Sequence, residues 1–253
     1  MNNVSELALH YLQSYGLPAP ETYTAFLREA CEAHPPPHGM AWYGNMYRQL
    51  ARKTEWFANS LIINADKEGF GARQLWKFSV RMENTQLAEA VRRHSMDESK
   101  HARIFVGTLD LLFPSALEAG FRAQLRELSP GYNPRTHPPT TLAPASELLP
   151  ERRVMDDLIQ GNFTEVRALI LQLLLRPMFQ AYAAPEKRAR LLHISDGLIR
   201  DEARHIEYSA QFIEQYAAQG NREWVRATML DRMKSVNDVS LAEVSVEGQP
   251  IPL

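Results

Sequence analysis

Apolar residues recur along most of this chain at spacings of three and four, the period of a helix buried on one side. Four long segments of this kind dominate, and they pair into two hairpins. The first begins near Trp42, after the run HPPPHGM, whose consecutive prolines exclude helix. Leu61, Ala65, Glu68, Ala72, Leu75 and Ser79 then mark one face. Gly69 and Gly71 weaken this helix without ending it, at about 1 kcal/mol each relative to alanine. The apolar phase slips at Arg81–Thr85, and a new stripe follows: Leu87, Val91, His94, Glu98, His101, Phe105 and Leu112. The slip predicts a tight turn with Asn84 or Thr85 capping the second helix, which ends around Phe113 and Pro114.

Ser129 to Pro150 holds six prolines and cannot be one helix. In a bundle such a segment fits a crossover from one end to the other; a flexible linker is the plainer alternative. The third helix is expected from Glu151 to Tyr182, with Leu158, Glu165, Leu169, Gln172 and Phe179 on one stripe and Pro177 kinking its last turns. Ala184 and Pro185 make the turn, and the fourth helix spans roughly Glu186 to Ala218. Short helices are expected over Val4–Tyr15 and Pro20–Ala33, with a further one near Arg222–Ser235 packed outside. The last stretch, VSLAEVSVEGQPIPL, alternates weakly and reads as a docked extended tail or as disorder. The expected architecture is thus all-α: a four-helix bundle with a long crossover and extra short helices at both ends. It forms one domain over residues 1–253, comprising a helical extension at 1–41, the bundle at 42–218, and a helix and tail at 219–253.

Composition narrows the function. Apolar residues make up 45% and charged residues 23% of 253, enough for a sizeable core. A formal charge of -2 and the lack of a basic cluster argue against nucleic acid and acidic membranes as partners. Cys31 is the sole cysteine, which excludes an internal disulfide and a cysteine zinc cluster. The N-terminus lacks a basic start followed by an apolar run, and the most apolar stretch, Ala168–Leu175, is too short to span a bilayer. A cytoplasmic location is expected, and Ala168–Leu175 reads as a buried helical segment.

The chemistry lies in a repeat. Asp-Glu-x-x-His occurs twice, at Asp97-Glu98-Ser-Lys-His101 and Asp201-Glu202-Ala-Arg-His205. Ordinary residue frequencies give one copy by chance in about 3% of chains this long. Residues three apart share a helix face, so one carboxylate and one imidazole can converge on one ion. Each half also offers a lone glutamate on the preceding helix. Glu68 and Glu98 lie on either side of the first turn at similar height, as do Glu165 and Glu202 around the second. Glu83 falls in the proposed turn and Glu55 lies well off mid-height, which leaves Glu68 as the better match. Four carboxylates contribute four negative charges, which two divalent ions neutralise; without them the burial cost would be prohibitive. Mixed oxygen and nitrogen ligation suits iron or manganese, and redox chemistry favours these over zinc. His94, one turn before Glu98 on the same face, is either an extra ligand or a core histidine.

With these residues and motifs, Trp42 to Ala218 resembles the ferritin-like superfamily of non-haem di-iron carboxylate oxygenases and oxidases. That superfamily includes the ribonucleotide reductase small subunit, multicomponent monooxygenase hydroxylases, aldehyde-deformylating oxygenase and arylamine N-oxygenases. The resemblance implies that Glu68, Glu98 and His101 bind one iron and Glu165, Glu202 and His205 the other, with Glu98 and Glu202 bridging. It implies that Asp97 and Asp201 each hydrogen-bond a ligating imidazole of the opposite motif. The threonine that the multicomponent monooxygenases carry one turn after the third glutamate is Leu169 here. No catalytic residue beyond the ligands is assigned. The expected cofactors are two iron ions, with manganese or a mixed iron–manganese pair as alternatives, and dioxygen is the co-substrate. The expected partners are a small-molecule substrate, an electron-donor protein and a second copy of the chain in a homodimer. Leu61, Ala65, Phe105, Leu169, Gln172 and Leu198 are expected to line the site. The expected activity is hydroxylation, N-oxygenation or oxidative cleavage of a small organic molecule. A ferroxidase without an organic substrate is the alternative.

Overall fold

The computed structural model describes residues 4–114 and 143–245. Among these, all regular structure is helical. In chain order the α-helices are α1 (Val4–Ser14), α2 (Glu21–Ala33), α3 (Ala41–Ala51), α4 (Thr54–Ser79), α5 (Thr85–Leu112), α6 (Glu151–Tyr182), α7 (Pro185–Tyr216) and α8 (Arg222–Ser245). The chain divides into two compact units. The first comprises Met1–Arg52, Arg152–Met178 and Ser195–Ile251; the second comprises Lys53–Glu151, Phe179–Ile194 and Pro252–Leu253.

Within the second unit, α4 and α5 form the expected hairpin. Asn84 is the cap of α5, its side chain accepting from the backbone N–H groups of Gln86 at 3.1 Å and Leu87 at 3.0 Å. Such a cap satisfies donors that a helix start otherwise leaves open, and contributes about 1 kcal/mol. Ser95 donates to the Ala72 carbonyl at 2.7 Å, tying the helices at mid-length. At the far end Phe57 stacks on Tyr182 with ring centroids 4.9 Å apart, and Phe113 meets Tyr182 edge-on at 5.4 Å. This aromatic cluster seats the α6–α7 turn, where Lys187 donates to the Leu111 carbonyl at 3.0 Å. Most of the proline-rich segment expected as a crossover lies outside the described residues. Its end is strapped to the α4–α5 turn, with Ala143 N–H donating to Val80 O at 2.7 Å and Leu149 N–H to Arg81 O at 2.9 Å.

The first unit wraps the middle of α6 and most of α7 in the terminal helices. The Tyr23 hydroxyl donates to Asn162 Oδ1 at 2.8 Å, and Asn162 in turn donates to Ser209 Oγ at 2.8 Å and Ile206 O at 3.2 Å. Arg232 of α8 forks onto Asp156 of α6 at 2.7 and 2.6 Å. Ala168–Leu175 is the buried helical segment expected, with no exposed position from 165 to 176. Pro177 lies inside α6 without ending it. Gly220, at φ 90, makes the break between α7 and α8, a backbone state that glycine adopts without a Cβ clash.

Two expectations change. The helix expected to start near Trp42 is two helices, because Lys53 is extended (φ −85, ψ 112). Arg52, Lys53, Thr54 and Glu55 are all exposed, so no buried position carries the helical phase across the break. The final helix is longer than expected and runs through Ser245, taking in VSLAEVS. Its buried stripe is Val225, Met229, Met233, Val236 and Ser240, while Val239 and Leu241 are exposed. The apparent alternation came from apolar residues on the outer face.

Candidate metal centre

In the second unit, α4 and α5 bring four potential ligands together. His101 Nδ1 lies 3.5 Å from Glu98 Oε1 and 3.9 Å from Glu68 Oε2. His94 Nε2 lies 3.2 Å from the same Glu98 oxygen. Glu98, His101 and His94 are buried, and Glu68 is half-buried. The hairpin register expected from the turn therefore holds, and Glu68 stands level with the Glu98–His101 motif. Burial works to raise the Glu98 carboxyl, but hydrogen bonds with Glu68, His101 and His94 outweigh it and hold it well below the usual carboxylate range.

In the first unit, α6 and α7 repeat the arrangement. His205 Nδ1 lies 3.5 Å from Glu165 Oε2 and 3.6 Å from Glu202 Oε2. Glu202 and His205 are buried and Glu165 is half-buried. The motif histidines present the same nitrogen, Nδ1, to their carboxylates in both halves. Leu198 occupies the place that His94 has in the other half, and it too is buried.

Three of these separations, 3.2, 3.5 and 3.5 Å, fit shared ligation, and those of 3.6 and 3.9 Å lie just beyond it. Two atoms about 2.1 Å from one ion, at roughly tetrahedral or octahedral angles, stand roughly 3.0–3.5 Å apart. The shortest, His94 Nε2 to Glu98 Oε1 at 3.2 Å, is also within hydrogen-bond reach. Glu68, His94, Glu98, His101, Glu165, Glu202 and His205 all belong to histidine and glutamate groups that could hold a metal ion. The donor set, carboxylates and imidazoles in a buried setting, fits divalent cations with oxygen and nitrogen preference.

Asp201 is buried and paired with Arg204 of its own helix at 2.5 Å, and Asp97 is half-buried. Leu61, Ala65, Phe105, Leu169, Gln172 and Leu198, expected to line the site, are all buried. Two features escaped the sequence reading. Asn162, one turn before Glu165, anchors the back of the α6–α7 half to Tyr23; the signal was a polar residue inside the stripe Leu158, Asn162, Glu165, Leu169. Gly71 is the other: a Cβ there would lie 4.0 Å from Glu98 Oε2, so the carboxylate passes close to α4 backbone.

No family model matches the sequence, and no curated protein and no solved structure matches it. No described helix is long and apolar enough to cross a membrane.

Proposed function

We propose that the Glu68–Glu98–His101 triad and the Glu165–Glu202–His205 triad each hold an iron ion, and that the chain is an oxygen-activating oxygenase or oxidase of ferritin-like build acting on a small organic molecule. One observation carries this reading. Each hairpin independently sets the histidine of its Asp-Glu-x-x-His motif against two carboxylates, at 3.5 and 3.9 Å in one half and 3.5 and 3.6 Å in the other. A purely structural helix face has no reason to repeat that constellation twice.

Charge supports it further. Glu98 and Glu202 are almost fully buried, and buried carboxylates need compensating cations. Two divalent ions balance Glu68, Glu98, Glu165 and Glu202. Bound ferrous ions would supply the electrons that activate dioxygen. The chain's own part is to hold the ions, keep His101 and His205 oriented and exclude water. Asp97 and Asp201, each beside a motif glutamate, are placed in sequence to fix the histidine tautomers. The helices of each triad also carry buried apolar side chains, Leu61, Ala65 and Phe105 in one unit and Leu169 and Leu198 in the other, and such surroundings suit a small organic molecule with few polar anchors, for which buried Gln172 is a candidate.

The test is anaerobic loading with ferrous iron, followed by oxygen. About two irons per chain, and oxygen uptake that depends on both metal and a small organic substrate, are expected. Iron accumulating far beyond two per chain would favour the ferroxidase alternative. Two bound irons with no oxygen uptake would remove the oxygenase reading.

A further inference from the structure

The motif repeats, but its surroundings do not. One turn before the motif glutamate, the α4–α5 half carries His94 and the α6–α7 half carries Leu198. Both positions are buried, so the fold accepts an aliphatic side chain there in one half and an imidazole in the other. His94 points its Nε2 at the Glu98 oxygen that His101 also approaches, at 3.2 and 3.5 Å. One carboxylate oxygen is thus flanked by two imidazoles on a single helix face, at spacings of four and three residues.

Resting on the di-iron reading above, we propose that His94 is a seventh ligand through Nε2, which makes the two metal positions unequal in nitrogen donors and in affinity. A neutral imidazole adds a bond to an ion without disturbing the balance of four carboxylates against two divalent cations. Imidazole suits iron, whereas carboxylate-rich sites suit manganese. The position that His94 completes is therefore the tighter one and the more selective for iron, and the other position fills second.

The experiment uses the full chain stripped of metal and titrated with cobalt(II), followed by calorimetry and visible absorption. The unaltered protein should bind two ions in separate steps. His94→Leu, which copies Leu198, should weaken the tighter step by at least about 10–100-fold, since losing even a group that only orients a ligand costs that much. His94→Gln, which keeps a polar side chain, should do the same. Nitrogen-edited NMR of the zinc-loaded, unaltered protein supplies a count that no variant can confound: three ligating imidazoles, His94 among them, are expected. Two ions bound with unchanged affinities in both variants, or only two ligating imidazoles, would overturn the assignment while leaving the di-iron reading intact. An unaltered protein that binds no ion would overturn both.

Discussion

The two hairpins that carry the Asp-Glu-x-x-His motifs present the same triad from backs of opposite character. Two residues beyond the lone glutamate of α4 stands Phe70, exposed to solvent; two beyond that of α6 stands Arg167, buried. The outer face of α4 reads Asp66, Lys67, Phe70, Gln74 and Lys77, all exposed, whereas α6 shows no exposed position from 165 to 176. The α6–α7 half is sheathed by terminal helices and bolted through Tyr23, Asn162 and Ser209. In the α4–α5 half Ser95 ties to Ala72 at mid-length, Arg92 lies over the Trp76 ring at 5.8 Å, and two glycines stand near Glu68.

The largest effects should come from the ligands themselves. Glu98→Gln and Glu202→Gln each keep side-chain shape but remove a charged donor, and metal analysis should show the content falling from two ions per chain to one or none. Glu98→Gln should also lower apo stability, because hydrogen bonds with Glu68, His101 and His94 make the fold favour the Glu98 carboxylate. A variant that keeps both ions would exclude that glutamate from the ligand set.

Next in size is the difference in how the halves are bolted. Asn162→Leu strands the buried Tyr23 hydroxyl and removes the donor to Ser209 Oγ, which keeps its own bond to the His205 carbonyl, and should cost about 2 kcal/mol of apo stability. Ser95→Ala removes a single hydroxyl-to-carbonyl bond and should cost about 1 kcal/mol. Urea unfolding measures both, and equal losses would mean that the two buried ties carry the same weight.

Much of this was legible in the sequence, and the failures have physical causes. The bounds of α6 could be read because Pro150 and the Ala183–Pro185 turn punctuate it, and the ligand motif because three-residue spacing is a local property of a helix. The α3–α4 break could not be read, since four exposed polar residues in a row carry no phase. The end of α8 misled because Val239 and Leu241 face water while Ser240 faces inward and bonds the Val236 carbonyl. The Tyr23–Asn162 bolt spans 139 residues, and no local pattern announces a contact that distant.

The sheathed half should also be sensitive to acid. His38, buried in the first unit, has its imidazole pushed down to about 3 by burial and by the positive charge of Arg167. With a folded value below the unfolded one, the unfolded chain binds the extra proton between them. The stability is therefore complete above about pH 6.5 and is lost as pH falls toward 3. From pH 7 to pH 5 the expected loss is about 2 kcal/mol. His38→Leu should flatten that part of the pH dependence, measured as urea midpoints at the two pH values. An unchanged dependence in the variant would place the acid sensitivity elsewhere.

The smallest effect sharpens the contrast at the backbone. A Cβ at Gly71 would meet only Glu98 Oε2, at 4.0 Å, and one at Gly197 of α7 would meet nothing within 4 Å. Neither glycine has the positive φ that a side chain resists. On backbone entropy alone Gly71→Ala and Gly197→Ala should each stabilise the apo protein by about 0.5–1 kcal/mol. That gain corresponds to a rise of about 2 °C in Tm for a chain of this size. Equal gains would mean that both glycines are merely tolerated. A gain at Gly197 with a loss at Gly71 would mean that α4 has given up helix stability so that the Glu98 carboxylate can swing past its backbone, a freedom the sheathed half does without.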